Sequence, residues 1–110
     1  MSSMYRGNKY NAKKVVYNGR KYDSKRESSY AQQLDWMLKV GEIAEIIPQY
    51  KINIEVNGLH ICKYYMDFKI VRPNGAIEMH EVKGFETSVW KLKWKLAIAL
   101  YPDWDFILIK

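Results

Sequence analysis

The sequence predicts an α/β domain whose elements run helix, three strands, helix, strand. Three observations carry that expectation. Residues 24–40 hold an apolar stripe at helical spacing behind a capping residue. Residues 50–83 alternate in strand-length stretches, punctuated by Asn57-Gly58 and by Pro73-Asn74-Gly75. Residues 87–101 form a second apolar helical stretch that Pro102 stops, and Asp105–Ile109 follows as a short apolar run.

Taken in order, residues 1–12 are expected to be a basic flexible arm, and residues 13–110 a single domain. Lys14–Tyr17, Asn18-Gly19 and Arg20–Tyr22 read as a small hairpin on an Asn-Gly turn. Asp23 or Ser24 caps the first helix and Gly41 ends it. Its stripe is Tyr30, Ala31, Leu34, Met37 and Leu38, and Glu27 projects into that stripe. Ala44–Ile47 leads through Pro48-Gln49 to a half-buried strand, in which Tyr50, Ile52, Ile54 and Val56 alternate with Lys51, Asn53 and Glu55. Asn57-Gly58 turns the chain into a long strand from about Leu59 to Val71, and Pro73-Asn74-Gly75 turns it again into Ala76–Val82. Thr87 is placed to cap the second helix, whose Lys91 and Lys95 share the solvent side. The final run, Asp105–Ile109, suits a buried strand.

Composition narrows the function classes. Nearly half of the 110 residues are apolar, enough for a modest core. No run approaches the roughly 20 apolar residues that span a bilayer, and no signal-peptide core opens the chain, so no membrane partner is expected. Cys62 is the only cysteine, which excludes an intrachain disulfide and points to a reducing cytoplasm. No glycine-rich phosphate loop is present, so no nucleotide cofactor is expected.

The formal net charge is +6 and unevenly spread. Arg6, Lys9, Lys13, Lys14, Arg20, Lys21, Lys25 and Arg26 face a single acid, Asp23, up to residue 26; that segment nets +7 and the remainder −1. A basic arm with Tyr5, Tyr10 and Tyr17 interleaved suits a polyanion, with nucleic acid the expected partner.

The chemistry concentrates between Tyr64 and Lys83. Asp67 stands on one strand, and Glu81 and Lys83 stand two apart on the next, hence on one face. Two carboxylates and an ammonium are a poor way to build a core, and a good way to hold a divalent metal against a phosphate. Glu27 carries two readings. Ser24-x-x-Glu27 is a capping box, and the same carboxylate can reach the edge of the active face. Gln49 either positions a scissile group or makes a strand-end hydrogen bond. Lys93 either lays its stem along the surface or reaches a phosphate. His60 and Cys62 sit two apart without a second pair, which argues against structural zinc. His80 should point away from Glu81, as a packed or surface residue.

This order and these residues resemble the PD-(D/E)XK nuclease superfamily, whose restriction-endonuclease-like core is an αβββαβ unit around a mixed central sheet flanked by helices. Asp67 in YYMDF matches the motif aspartate, with Met66 in place of the usual proline. Glu81-Val82-Lys83 in HEVKG matches the acid-x-Lys tripeptide, and Glu27 in YDSKRESSY the helix-borne glutamate of many branches. The IPQY segment at Gln49 is similar to small phage-encoded members and transposon-end endonuclease subunits. The resemblance covers about Tyr17 to Lys110.

It implies a Mg²⁺- or Mn²⁺-dependent endodeoxyribonuclease in which Asp67, Glu81, the Val82 carbonyl and Glu27 hold the metal. Lys83 would orient the attacking water or neutralise charge on the phosphoryl oxygens, with Gln49 a further positioning candidate. Arg6, Lys9, Lys13, Lys14, Arg20, Lys21, Lys25, Arg26 and Lys93 would contact DNA. So small a chain should read backbone charge and DNA shape, which suits branched DNA or a Holliday junction in phage-type recombination or replication, within a bacterial host's cytoplasm. Symmetric cutting of two strands implies a homodimer. The alternative is a non-catalytic, basic DNA-binding module on the same fold.

Overall fold

The computed structural model describes residues 15–17, 20–22 and 24–110. Arg6, Lys9, Lys13 and Lys14, the expected arm as a whole and the expected Asn18-Gly19 turn lie outside the described residues. Of Arg20 and Lys21 the backbone alone is described. Strands β1 (Val15–Tyr17) and β2 (Arg20–Tyr22) form a separate antiparallel pair, with Tyr17 opposite Arg20.

Helix α1 spans Lys25–Lys39. Ser24 Oγ accepts the Glu27 amide at 3.0 Å, which satisfies one of the free N–H groups of the first turn. At the other end Gly41, with φ +85°, takes the left-handed conformation. The Glu42 amide then donates to the Met37 carbonyl and the Gly41 amide to that of Leu38, the paired bonds of a Schellman motif.

Strands β3 (Glu45–Val56), β4 (Leu59–Val71), β5 (Ile77–Val82) and β6 (Asp105–Ile109) lie side by side in that order. The first three form an antiparallel meander and β6 joins β5 in parallel, so the sheet is mixed. Helix α2 (Ser88–Leu100), capped by Thr87 Oγ1 on the Trp90 amide, makes the crossover between β5 and β6. The order helix, three strands, helix, strand is the α/β core that the sequence predicts. Asn57 (φ +52°) and Gly58 (φ +81°) give the β3–β4 hairpin its tight turn.

Two expectations are corrected. The strand anticipated from Tyr50 begins at Glu45 and runs through Pro48. Proline is tolerated because β3 is an edge strand, where a missing N–H need not cost a ladder bond. The last run, anticipated as a buried strand, is the opposite edge, and Ile107 is exposed.

The core has two parts. Ile52, Ile54, Tyr64, Met66 and Met79 pack with Trp90 and Ala97 of α2. Phe68, Ile70 and Ile43 pack with Ala31 and Leu34 of α1. Residues two apart share a face in a regular strand, yet Met66 joins one core and Phe68 the other. The alternation of β4 therefore breaks at Asp67. Across from it on β3, Gln49 has φ +52° and falls between the paired steps Pro48–Phe68 and Tyr50–Met66. No helix among the described residues is long and apolar enough to cross a membrane.

Candidate active site

The backbone ladder between β4 and β5 runs from Val71–Ile77 to Phe68–His80. One step further on, side chains take over. Asp67 Oδ2 accepts the Val82 amide at 2.8 Å, and Glu81 Oε1 accepts the Asp67 amide at 3.3 Å. Each carboxylate stands where a strand carbonyl would otherwise accept, so the two strands splay while these two amides stay paired. The expectation that Asp67 and Glu81 meet on neighbouring strands holds, through backbone amides as well as proximity.

Glu81 is 4 % exposed. Burial, and then the negative charge of Asp67, push its carboxyl up to about 7. The hydrogen bond from the Asp67 amide and then the charge of Lys83 oppose that shift; the Lys83 Nζ lies 3.9 Å from Glu81 Oε2 and 5.1 Å above the centre of the Trp90 ring. The Lys83 amide is anchored on β6 through the Ile109 carbonyl, at 2.9 Å. Trp90 donates its indole N–H to the Tyr64 hydroxyl at 2.9 Å. Burial and the nearby Glu81 hold that phenol protonated well above its ordinary range.

A second polar pair flanks the first. Glu27, 5 % exposed, accepts from Gln49 Nε2 at 3.1 Å. The two readings of Glu27 thus meet in part: Ser24 caps its amide, while its carboxylate reaches from α1 to the bend in β3. Gln49 makes a hydrogen bond there, as one of its readings supposed, from a left-handed backbone. Among the described residues no three His, Cys, Asp or Glu side chains converge on one metal position. The structure brings Asp67, Glu81 and Lys83 together and joins Glu27 to Gln49. Val82 contributes its amide to the contact with Asp67.

Whether a divalent cation fits can be judged from the donors. A half-buried carboxylate meets a buried one that is forced toward its protonated form, so an added positive charge would relieve both the burial of Glu81 and the repulsion. Hard oxygen donors of this kind suit Mg²⁺ or Mn²⁺, and Mg²⁺ is commonly held by one or two carboxylates with water and phosphate completing the shell. The residues present fit such a cation.

The remaining candidates are spread out. Arg26 Nη1 donates to the Lys83 carbonyl at 3.5 Å, which sets a guanidinium beside the site, and Lys25 is exposed at the start of α1. Lys93 Nζ donates to the Lys63 carbonyl at 3.1 Å, four residues along β4 from Asp67, or about 13 Å. His60 is exposed and Cys62 half-buried.

His80 lies on the α1 side, away from Glu81, as expected. Its partners were not legible. Nδ1 is 2.6 Å from the Tyr30 hydroxyl and Nε2 is 2.8 Å from Glu78, which Arg72 clamps through two N–H groups. Burial lowers the imidazole's affinity for a proton, and the hydrogen bonds from Arg72 lower that of Glu78. The other feature that the sequence reading missed is the Trp90–Tyr64 pair beside Lys83. The signal was present, since a buried indole N–H needs an acceptor.

Among comparisons with known proteins, a family model described as "Protein of unknown function (DUF1064)" matches residues 7–109. No curated protein matches the sequence.

Proposed function

We propose that this chain, which belongs to the DUF1064 family, is a divalent-metal-dependent endodeoxyribonuclease of the PD-(D/E)XK kind. The observation that carries the reading is the interlock at the splayed end of β4 and β5. There Asp67 and Glu81 each accept the other strand's amide, with the Lys83 ammonium 3.9 Å from Glu81. A core has no use for two repelling acids in that position, whereas a phosphate with its cation does.

Asp67 and Glu81 would hold Mg²⁺ or Mn²⁺, with the Val82 carbonyl as a further donor and Glu27, on Gln49, flanking the pair rather than joining it. A bound cation supplies polarisation of the phosphate and acidifies water at neutral pH. The chain's own part is positional. The Val82 and Asp67 amides fix the two carboxylates, so the donors are preorganised. Trp90 lies beneath the Lys83 ammonium, which is placed to neutralise charge gathering on the phosphoryl oxygens. Gln49 holds the Glu27 carboxylate. Basic residues from the arm to Arg26 supply backbone attraction with little base readout, which favours branched DNA as substrate. Two symmetric cuts call for a homodimer.

The test is cleavage of a labelled four-way junction and a linear duplex, with Mg²⁺ or with chelator. Nicking that requires the metal supports the reading. Binding of DNA without cleavage under any metal condition would favour the non-catalytic module.

A further inference from the structure

Beyond the N-terminus of α1, the β3–β4 hairpin continues with one face covered. Ile52, Ile54, Tyr64 and Met66 are buried against the α2 side. Their neighbours point the other way. Lys51 and Asn53 on β3, and Ile61, Lys63 and Tyr65 on β4, are exposed, Tyr65 at 52 %.

The register turns these residues into a strip. Lys51 stands opposite Tyr65, and Asn53 opposite Lys63. Lys51 and Lys63 are therefore diagonal neighbours on one face, about 7–8 Å apart at the backbone. The strip begins one strand repeat, about 7 Å, from the step held by Gln49 and Asp67, on the face of the hairpin opposite Tyr64 and Met66. At its far end Glu55, opposite His60, lies one repeat beyond Asn53, and at its near end Asp67 lies one repeat beyond Tyr65.

Two ammonium groups, an amide and a broad aromatic face, with no carboxylate among them, are complementary to a polyanion. They oppose a second copy, which would present the same lysines, and the chain's own basic arm. We propose that this strip is the track for the DNA strand that leaves the site. Lys51 and Lys63 each neutralise a phosphate, and Tyr65 lies flat against a sugar or base. The proposal rests on the nuclease reading for its substrate.

Binding tests it directly. Affinity for a fluorescein-labelled four-way junction and duplex is followed by anisotropy in chelator over a series of KCl concentrations. The variants are Lys51→Ala/Lys63→Ala, Tyr65→Ala and, as control, Lys39→Ala at the far end of α1. All positions are exposed or at the surface, and far-UV circular dichroism and melting confirm the fold. The double variant should bind about tenfold or more weakly, with the slope of log affinity against log salt shallower by about two. Tyr65→Ala should lose about fivefold or more, and Lys39→Ala nothing. Double-variant binding at wild-type affinity and slope would overturn the track and leave the nuclease reading intact, provided the wild type cuts DNA in Mg²⁺. A wild type that neither binds nor cuts DNA would overturn both.

Discussion

At the scale of the residue, the proposed function makes Asp67 and Glu81 metal ligands as well as the ladder acceptors they are. Conservative amides separate the roles, because Asp67→Asn and Glu81→Gln each keep an oxygen for the opposing amide. Both should fold and lose cleavage by about 10³-fold or more, the equivalent of several kcal/mol of lost charge stabilisation. Lys83→Met should lose about 10²–10³-fold in kcat with DNA binding little changed. Glu81 also carries a pH signature. Its carboxyl titrates near 7 when folded against an ordinary 4.5, so the folded chain keeps a proton that the unfolded chain releases between those values. That contribution to stability is complete below about 4.5 and lost as the pH climbs through about 7. Glu78, whose affinity for a proton is lowered, contributes in the opposite direction, its share being lost in acid. Comparison with Glu81→Gln isolates the first effect. In urea unfolding with chelator, the wild type should lose on the order of a few kcal/mol more than the variant between about pH 5 and about pH 8. Equal pH dependence in the two proteins would contradict the assignment.

At the scale of the element, the bend where β3 and β4 pass from one core to the other is the feature that places the site. Gln49 sits there with φ +52° and its amide on the buried Glu27. Gln49→Ala and Gln49→Gly both remove a hydrogen bond to that carboxylate and should each cost about 1–3 kcal/mol. The glycine variant should be the more stable of the two by up to about 1 kcal/mol, because it tolerates the left-handed backbone. Denaturant midpoints read the difference, and a more stable alanine variant would show that the bend is not strained. On the α1 side, Tyr30→Phe leaves His80 Nδ1 without its 2.6 Å partner, and should cost about 1–3 kcal/mol while leaving cleavage unchanged. Much of this level was legible in the sequence. Ser24, Gly41, Asn57-Gly58 and Thr87 announced caps and turns by their own chemistry, and the two-residue period set Glu81 beside Lys83. The bend was not legible, because a reading based on strict alternation carries Tyr50 to Val56 and Leu59 to Val71 straight through. The Glu27–Gln49 and Tyr30–His80–Glu78 contacts were hidden for another reason. They join a helix to strands far away in sequence, and only the packed fold sets those distances.

At the scale of the whole molecule, an acidic patch buried at the splayed centre of a sheet is combined with a chain of net charge +6 whose positive residues crowd before residue 27. On the proposed function the two suit one partner, since a polyanion drawn in by the basic segment would bring a phosphate to the carboxylates and a cation held there. Removing residues 1–11 should weaken duplex binding and flatten its salt dependence, while the metal requirement of cleavage stays the same. Unchanged affinity would show that the arm does not touch DNA. Light scattering should return the mass of a dimer if both strands of a junction are cut symmetrically. The central claim, that Asp67 and Glu81 hold a catalytic cation, is tested most directly by single-turnover cleavage of a labelled four-way junction by wild type, Asp67→Asn and Glu81→Gln, in Mg²⁺ and in chelator. Only the wild type, and only in Mg²⁺, should cleave the junction. Cleavage that persists in chelator, or in either variant at the wild-type rate, would contradict the claim.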